Sequence, residues 1–235
     1  MNLSTTYRSQ ADELMDDFNL KGKELQEALD KIATINRLLG GNKLTLQGVR
    51  KLLHNQTNQT LTILDVGCGN GDMLRTLAKY AKQNNITLNL IGIDANAFTI
   101  NYAQSLSESY PNISYHCQDI FSEDFNQVTC DILLCTLTLH HFQNNQIETL
   151  LRQFTKQSRV GVVINDLHRS KLAYRLFQLI GFLFQLNSMS RQDGLTSILR
   201  GFKKKELKAF AKNTNATKQT IHWKWAFRYQ WIIWK

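Results

Sequence analysis

Over residues 23–39 the apolar positions fall at Leu25, Ala28, Leu29, Ile32, Ile35 and Leu39, which is the repeat of one helical face. The pair Gly40–Gly41 then supplies a helix stop. Residues 46–53 predict a shorter helix, and the whole stretch 9–55 reads as helical. The polar run 54–60 reads as a linker. From Leu61 the pattern changes to short, almost unbroken apolar runs separated by amphipathic stretches. These predict strands over 61–66, 88–93, 113–117, 131–135 and 160–164, with helices over 71–83, 96–109 and 144–155. Pro111, the only proline, closes the second of those helices. Strands without polar alternation, each followed by a helix, imply a parallel sheet covered on both faces.

The last third differs. Residues 172–186 predict a helix that is apolar almost all round, broken by Arg175, Gln178 and Gln185. At ~1.5 Å per residue it is about 22 Å long, too short to span a bilayer, and suits a buried helix or a cover over an apolar pocket. Residues 190–199 read as loop and short helix, and 203–213 as helix. Residues 218–235 alternate and carry Trp223, Trp225, Phe227, Tyr229, Trp231 and Trp234. Period two with aromatics predicts either one long strand or a hairpin turning near 225–227.

Composition adds two constraints. The net charge is +9, and residues 200–235 hold ten Lys or Arg against the single acid Glu206, so that segment accounts for the surplus. Such a segment suits nucleic acid, an anionic membrane surface, or simple solubility. The four cysteines, Cys68, Cys117, Cys130 and Cys135, form no CxxC pair and no zinc-ligand spacing with histidine, so no metal is expected. The opening residues lack the apolar core of a secretory leader, and a cytoplasmic protein with reduced thiols is expected.

Candidate chemistry concentrates where the first strand runs into Asp65-Val-Gly67-Cys-Gly69-Asn-Gly71. Alternate glycines let backbone approach a ligand, and the helix that follows offers free N–H groups. A phosphate-binding P-loop requires Lys-Ser/Thr after its last glycine, but Asp72-Met73 stands here. A dinucleotide fingerprint is GxGxxG, whereas this turn is GxGxG. Asp65 and Asp72 would repel a pyrophosphate and favour a cationic ligand.

This turn resembles the first motif of class I S-adenosylmethionine-dependent methyltransferases, and the match extends over roughly 58–166 and 217–235. The resemblance implies an α/β fold: a seven-stranded, mostly parallel Rossmann-like sheet with an antiparallel C-terminal strand. It implies a helical lid over 1–57 and a methyltransferase domain over 58–235, with 167–213 as a helical insertion on the substrate side. It further implies S-adenosylmethionine as cofactor and S-adenosylhomocysteine as product. Asp65 would hold the methionine amino group, with Gly67, Cys68, Gly69 and Gly71 allowing close approach. Asp94, with Ala95 beside it, would take both ribose hydroxyls. Asp119 would accept from the adenine amine and Ile120 would pack on the ring. Cys135, Thr136 and Leu137 would lie under the sulfonium, and Arg37 would pair with the carboxylate.

Absences narrow the acceptor. Amino-methylating nucleic-acid enzymes resemble one another in a Pro-Pro-aromatic motif, and cytosine C5 enzymes in a Pro-Cys pair. One proline, followed by Asn112, excludes both. Leu139-His140-His141-Phe142 instead is similar to the small-molecule branch, such as quinone-biosynthesis methyltransferases. Glu13-Leu-Met-Asp-Asp17, Ile35-Asn-Arg-Leu-Leu-Gly-Gly41, Val163-Ile-Asn-Asp-Leu-His-Arg169 and Arg191-Gln-Asp-Gly194 are similar to a bacterial subgroup that accompanies type III polyketide synthases. That implies a small, aromatic, apolar acceptor, phenolic or quinone-like, methylated on oxygen. A phenol has a pKa near 10 and histidine one of about 6.5, so His140, His141 and His168 are the candidate bases. A peripheral membrane contact would suit a lipid acceptor. The alternative is an RNA-modifying enzyme that lands its substrate on the basic residues of 200–235.

Overall fold

The computed structural model describes residues 3–54, 60–214 and 216–235. The expected linker and the boundary at residue 57 lie outside these, apart from His54 and Thr60. Helices α1 (Lys23–Leu38) and α2 (Gly41–Leu53) come first. An alternating series follows: β1 (Leu61–Val66), α3 (Asp72–Gln83), β2 (Leu88–Asp94), α4 (Ala97–Leu106), β3 (Ile113–Cys117), β4 (Cys130–Thr136), α5 (Asn144–Gln157) and β5 (Ser158–Leu167). Three helices, α6 (Lys171–Leu183), α7 (Ser188–Arg200) and α8 (Lys204–Ala211), precede the hairpin of β6 (Lys218–Lys224) and β7 (Arg228–Trp234).

The seven strands form one sheet in the order β3-β2-β1-β4-β5-β7-β6. The first five are parallel, and β7 runs antiparallel between β5 and β6. The C-terminal aromatics thus make a hairpin, turning at 225–227. The central strands are mostly apolar because most of their side chains enter one of two cores. In β4, Leu133 and Cys135 join Val66, Phe154 and Trp231 on one face. Ile132 and Leu134 join Ile63, Leu74 and Leu90 on the other.

Two expected elements differ. Residues 9–20 form no helix beyond a short 3-10 turn at Leu14–Asp16, because the amides of Leu14 and Met15 donate to the carboxylate of Asp193, at 2.8 and 3.0 Å. The expected helix over 172–186 ends at Leu183, where Gln185 adopts φ +48°, and Asn187 caps a full second helix through Ser190. Sequence periodicity hides α7, whose buried face includes the polar Ser190, Asp193 and Arg200. The expected helical lid over 1–57 is in two parts. Helix α2 belongs to the sheet, placing Val49 and Leu52 in the core, while α1 and the segment before it cover the carboxyl ends of the strands.

The α2–β5 contact is close enough to require glycine: a Cβ on Gly48 would lie 2.6 Å from Val163 Cγ1. Gly48→Ala is expected to lower unfolding stability by about 1–3 kcal/mol, read by urea denaturation. Adding Val163→Ala should recover part of that loss, and additive losses would show that the two groups do not meet.

Candidate active site

The turn after β1 is bound to β2, since the amides of Gly67 and Cys68 both donate to the Ile93 carbonyl, at 2.8 and 3.0 Å. Gly67 takes φ +67°, and a Cβ there would strike Thr138 at 2.5 Å. The acids are fixed by backbone. Asp94 accepts from Gly69 N–H and Asn96 N–H, each at 3.1 Å. Asp65 is buried, and among the described residues its Oδ1 has no hydrogen-bond partner. Burial, and then the charge of Asp94, push the Asp65 carboxyl up to about 8. Burial likewise raises Asp94, against the amide bonds that lower it.

These groups open on one cavity of about 940 Å³ at the carboxyl ends of the strands. Asp65, Gly67, Cys68, Gly69, Asp94, Ala95, Asp119, Ile120, Thr136 and Leu137 all line it. Their donor set fits the cofactor the sequence suggested. A buried, unpartnered carboxylate oxygen demands a donor, best a cationic one. Asp94 keeps free lone pairs for hydroxyls.

Three expected residues are placed elsewhere. Cys135 is fully buried in the core below the site, because strand alternation turns it to the opposite face from Leu134 and away from the cavity. Gly71 shapes the entry to α3 at φ +76° without lining the cavity. Arg37 does not reach the cavity either. Its guanidinium lies 3.3 Å from Asp72 Oδ1, and its side chain is mostly exposed.

The histidines sit in distinct settings. His140 is buried, and its Nδ1 lies 2.7 Å from Asp166 Oδ1. A carboxylate accepts, so Nδ1 carries the proton and Nε2 is left as a lone pair. That Nε2 has no hydrogen-bond partner and lies 3.7 Å from Glu13 Oε1. Asp166 would be raised by its burial, yet the charge and hydrogen bond of His140 hold it below its usual range. His141 is similarly bound to Asp16, at 2.6 Å, and is partly exposed. His168 accepts through Nδ1 from Trp223 Nε1–H, at 3.1 Å, so its neutral ring presents a donor rather than an acceptor at Nε2. Burial, and then Lys203 and Arg169, lower its pKa.

The segment before α1 completes the site with groups to which the sequence gave no role. Glu13 is buried beside His140, accepts from Ser197 Oγ at 2.6 Å, and is pushed up to about 6, mainly by burial. Arg200 lies 2.6 Å from Asp16 and 3.6 Å from Glu13. Arg8 donates to the carbonyls of His140 and Phe142, at 2.8 and 3.0 Å. Glu13, His140 and His141 each offer an atom within 4.8 Å of the others, a spacing compatible with a cation. However, His141 Nδ1 already bonds Asp16, and Arg200 already neutralises the acids. Glu13, Asp166 and Arg191-Gln-Asp-Gly194 stood in motifs of the sequence, but only the fold brings them to one place. The basic residues of α8 do not line the cavity.

Comparison with known proteins agrees with this geometry. Residues 63–161 match the family described as methyltransferase domain. Protein 235L of Invertebrate iridescent virus 6, named as an inferred methyltransferase, is 26% identical over 142 residues, 58% of this chain. The chain spans about half, 51%, of that relative's length. Among solved structures, the plantazolicin methyltransferase BpumL in complex with SAH is similar over 90% of this chain and 96% of its own, at 17% identity and TM-score 0.64. Magnesium protoporphyrin IX methyltransferase from Synechocystis PCC 6803 with bound SAM is similar over 98% and 100%, at 14% identity and TM-score 0.59. Residues 63–161 are therefore similar to a methyltransferase domain, and the chain shares its fold with these solved methyltransferases.

Proposed function

We propose that the chain transfers the methyl group of S-adenosylmethionine to a hydroxyl of a small, apolar, aromatic acceptor, phenolic or quinol-like. The observation that carries this reading is the buried pair Asp166–His140, a histidine of the cavity that Asp65 and Asp94 also line, whose Nε2 has no hydrogen-bond partner among the described residues. When bound, S-adenosylmethionine supplies an electrophilic methyl on its sulfonium. Asp65 would hold its amino group, Asp94 the ribose hydroxyls, and Asp119 with Ile120 the adenine. The other wall of the cavity is apolar and includes Phe121, Phe142, Phe177, Ile180 and Trp225, which suits a ring.

His140 then has a defined task. Its Nε2 would accept the acceptor's hydroxyl proton as the oxygen is methylated, the bound donor supplying the methyl and keeping the bonding pair of its sulfonium. Asp166 fixes the ring and stabilises the imidazolium that results. Glu13, ionised above about pH 6, adds negative charge 3.7 Å from the same nitrogen. Holding the two reactants in line supplies much of the remaining acceleration. His141 belongs to the hydrogen-bonded frame, and His168 lacks the free lone pair.

Two measurements test this. His140→Asn should lower kcat/KM on a phenolic acceptor by about 10²-fold or more, with S-adenosylhomocysteine affinity almost unchanged and with His168→Ala much closer to wild type. A loss within about threefold would remove His140 as the base. For the cofactor, protonated Asp65 competes with an ammonium ligand below its folded pKa of about 8. S-adenosylhomocysteine affinity should therefore rise with pH between about 6 and 7.5, by at most roughly tenfold per unit, with about one proton released. Calorimetry in buffers of different ionisation enthalpy counts that proton. Asp65→Asn should abolish the release and weaken binding about 10- to 100-fold, and a pH-independent affinity in the wild type would count against the assignment.

A further inference from the structure

Among the described residues, nothing covers one face of helix α6. It buries Ala173 and Gly181, and its Phe177 packs so closely on α7 that a Cβ at Gly194 would lie 2.2 Å from the ring. The opposite side of an ordinary surface helix is polar. Here Leu172, Leu179 and Leu183, spaced as one helical stripe, are 58%, 54% and 65% exposed, and Phe182 beside them is 72% exposed. Lys171, Arg175 and Gln178 accompany this stripe, and no Asp or Glu occurs from Leu167 to Gln192. The patch is continuous with the cavity mouth: Leu179 is on the stripe and lines the cavity, as do the exposed Phe18 and Trp225.

We propose that the outer face of α6 docks on an anionic phospholipid bilayer, lying in the interface with its leucines and Phe182 among the acyl chains. A short helix with an apolar stripe, flanking cations and no acids is what binds in that plane. No described helix is long and apolar enough to cross a membrane. A second copy of the chain fits less well. A two-fold contact through this face would enclose Lys171 and Arg175 with no acid on α6 to pair them. Headgroup phosphates supply that missing charge. The docked orientation turns the cavity mouth, through Leu179, toward the lipid, so an apolar acceptor could enter without crossing water. That last step rests on the proposed methyl transfer; the docking does not.

The test needs no substrate. The full chain is sedimented with phosphatidylcholine vesicles with and without phosphatidylglycerol, at several salt concentrations. Wild type should bind the phosphatidylglycerol vesicles, more weakly as salt rises. Phe182→Ser with Leu183→Ser should weaken binding about tenfold or more. Lys171→Gln with Arg175→Gln should remove most of the dependence on phosphatidylglycerol. None of these four residues lines the cavity, so each variant should melt and bind S-adenosylhomocysteine as wild type does. If the first pair misfolds, the second still reports. The proposal is overturned if folded wild type stays in the supernatant. It is equally overturned if both variants sediment like wild type, which would place contact on another surface, or if they only convert a dimer to a monomer. Loss of methyl transfer with docking intact would instead count against the acceptor reading.

Discussion

Asp65 holds a carboxylate oxygen inside the protein that nothing bonds. Its neighbour Asp94 is partly buried, and the charge of Asp94 adds to the burial that raises the cost of ionising Asp65. Such an arrangement is unfavourable for the empty protein, because buried charge without a partner is expensive. It persists because the surrounding structure leaves the two acids no alternative. Asp65 is fixed within a central strand paired on both sides. Asp94 is fixed by two amides, one of them from the glycine turn itself. The turn is in its place because two of its amides share the Ile93 carbonyl. Removing any one of these ties would let the acids separate or reach water, and the demand for a cationic ligand would fade.

The same logic explains what could be read from the chain. The glycine turn and the acids at successive strand ends are local signals, each within a few residues of the strand that positions it. The sheet followed from apolar runs in which most positions of the central strands are buried on one face or the other. Cys135 was misplaced although its parity was legible: it is two residues from Leu133, so it shares that side chain's face of the sheet. Arg37 could not be placed from sequence, since Asp72 captures it across 35 residues. The carboxylates paired with the histidines lay further out of reach. Asp166 is 26 residues from His140, and Asp16 is 125 from His141.

The segment before α1 explains why motifs far apart in sequence belong together. Its residues have little to pack on locally, so tertiary bonds set its path. Asp193 takes the amides of Leu14 and Met15, and buried Arg169 takes the carbonyls of Thr5 and Thr6. Arg169 itself is secured by Glu206 at 2.6 Å. Through these ties α7 and α8 decide where Glu13 sits, and hence what faces His140 Nε2. A helix at residues 9–20 would have consumed the amides that Asp193 needs, so the local preference yields to the longer-range one.

This wiring also bears on how the site meets its surroundings. One face of α7 anchors the segment that carries Glu13, and it supports α6 through the close approach of Phe177 and Gly194. The segment carrying Glu13 and the apolar wall of α6 are therefore both mounted on a single helix. Movement of α6 against α7 would shift the apolar wall without disturbing Asp65 or Asp94, which belong to the sheet. The charge-bearing half of the cavity is thus mounted separately from the part of its apolar wall that α6 carries. On the proposed reading, acceptor preference could then change through α6 and α7, while the sheet and its unpaired aspartate keep the same demand on a cationic ligand.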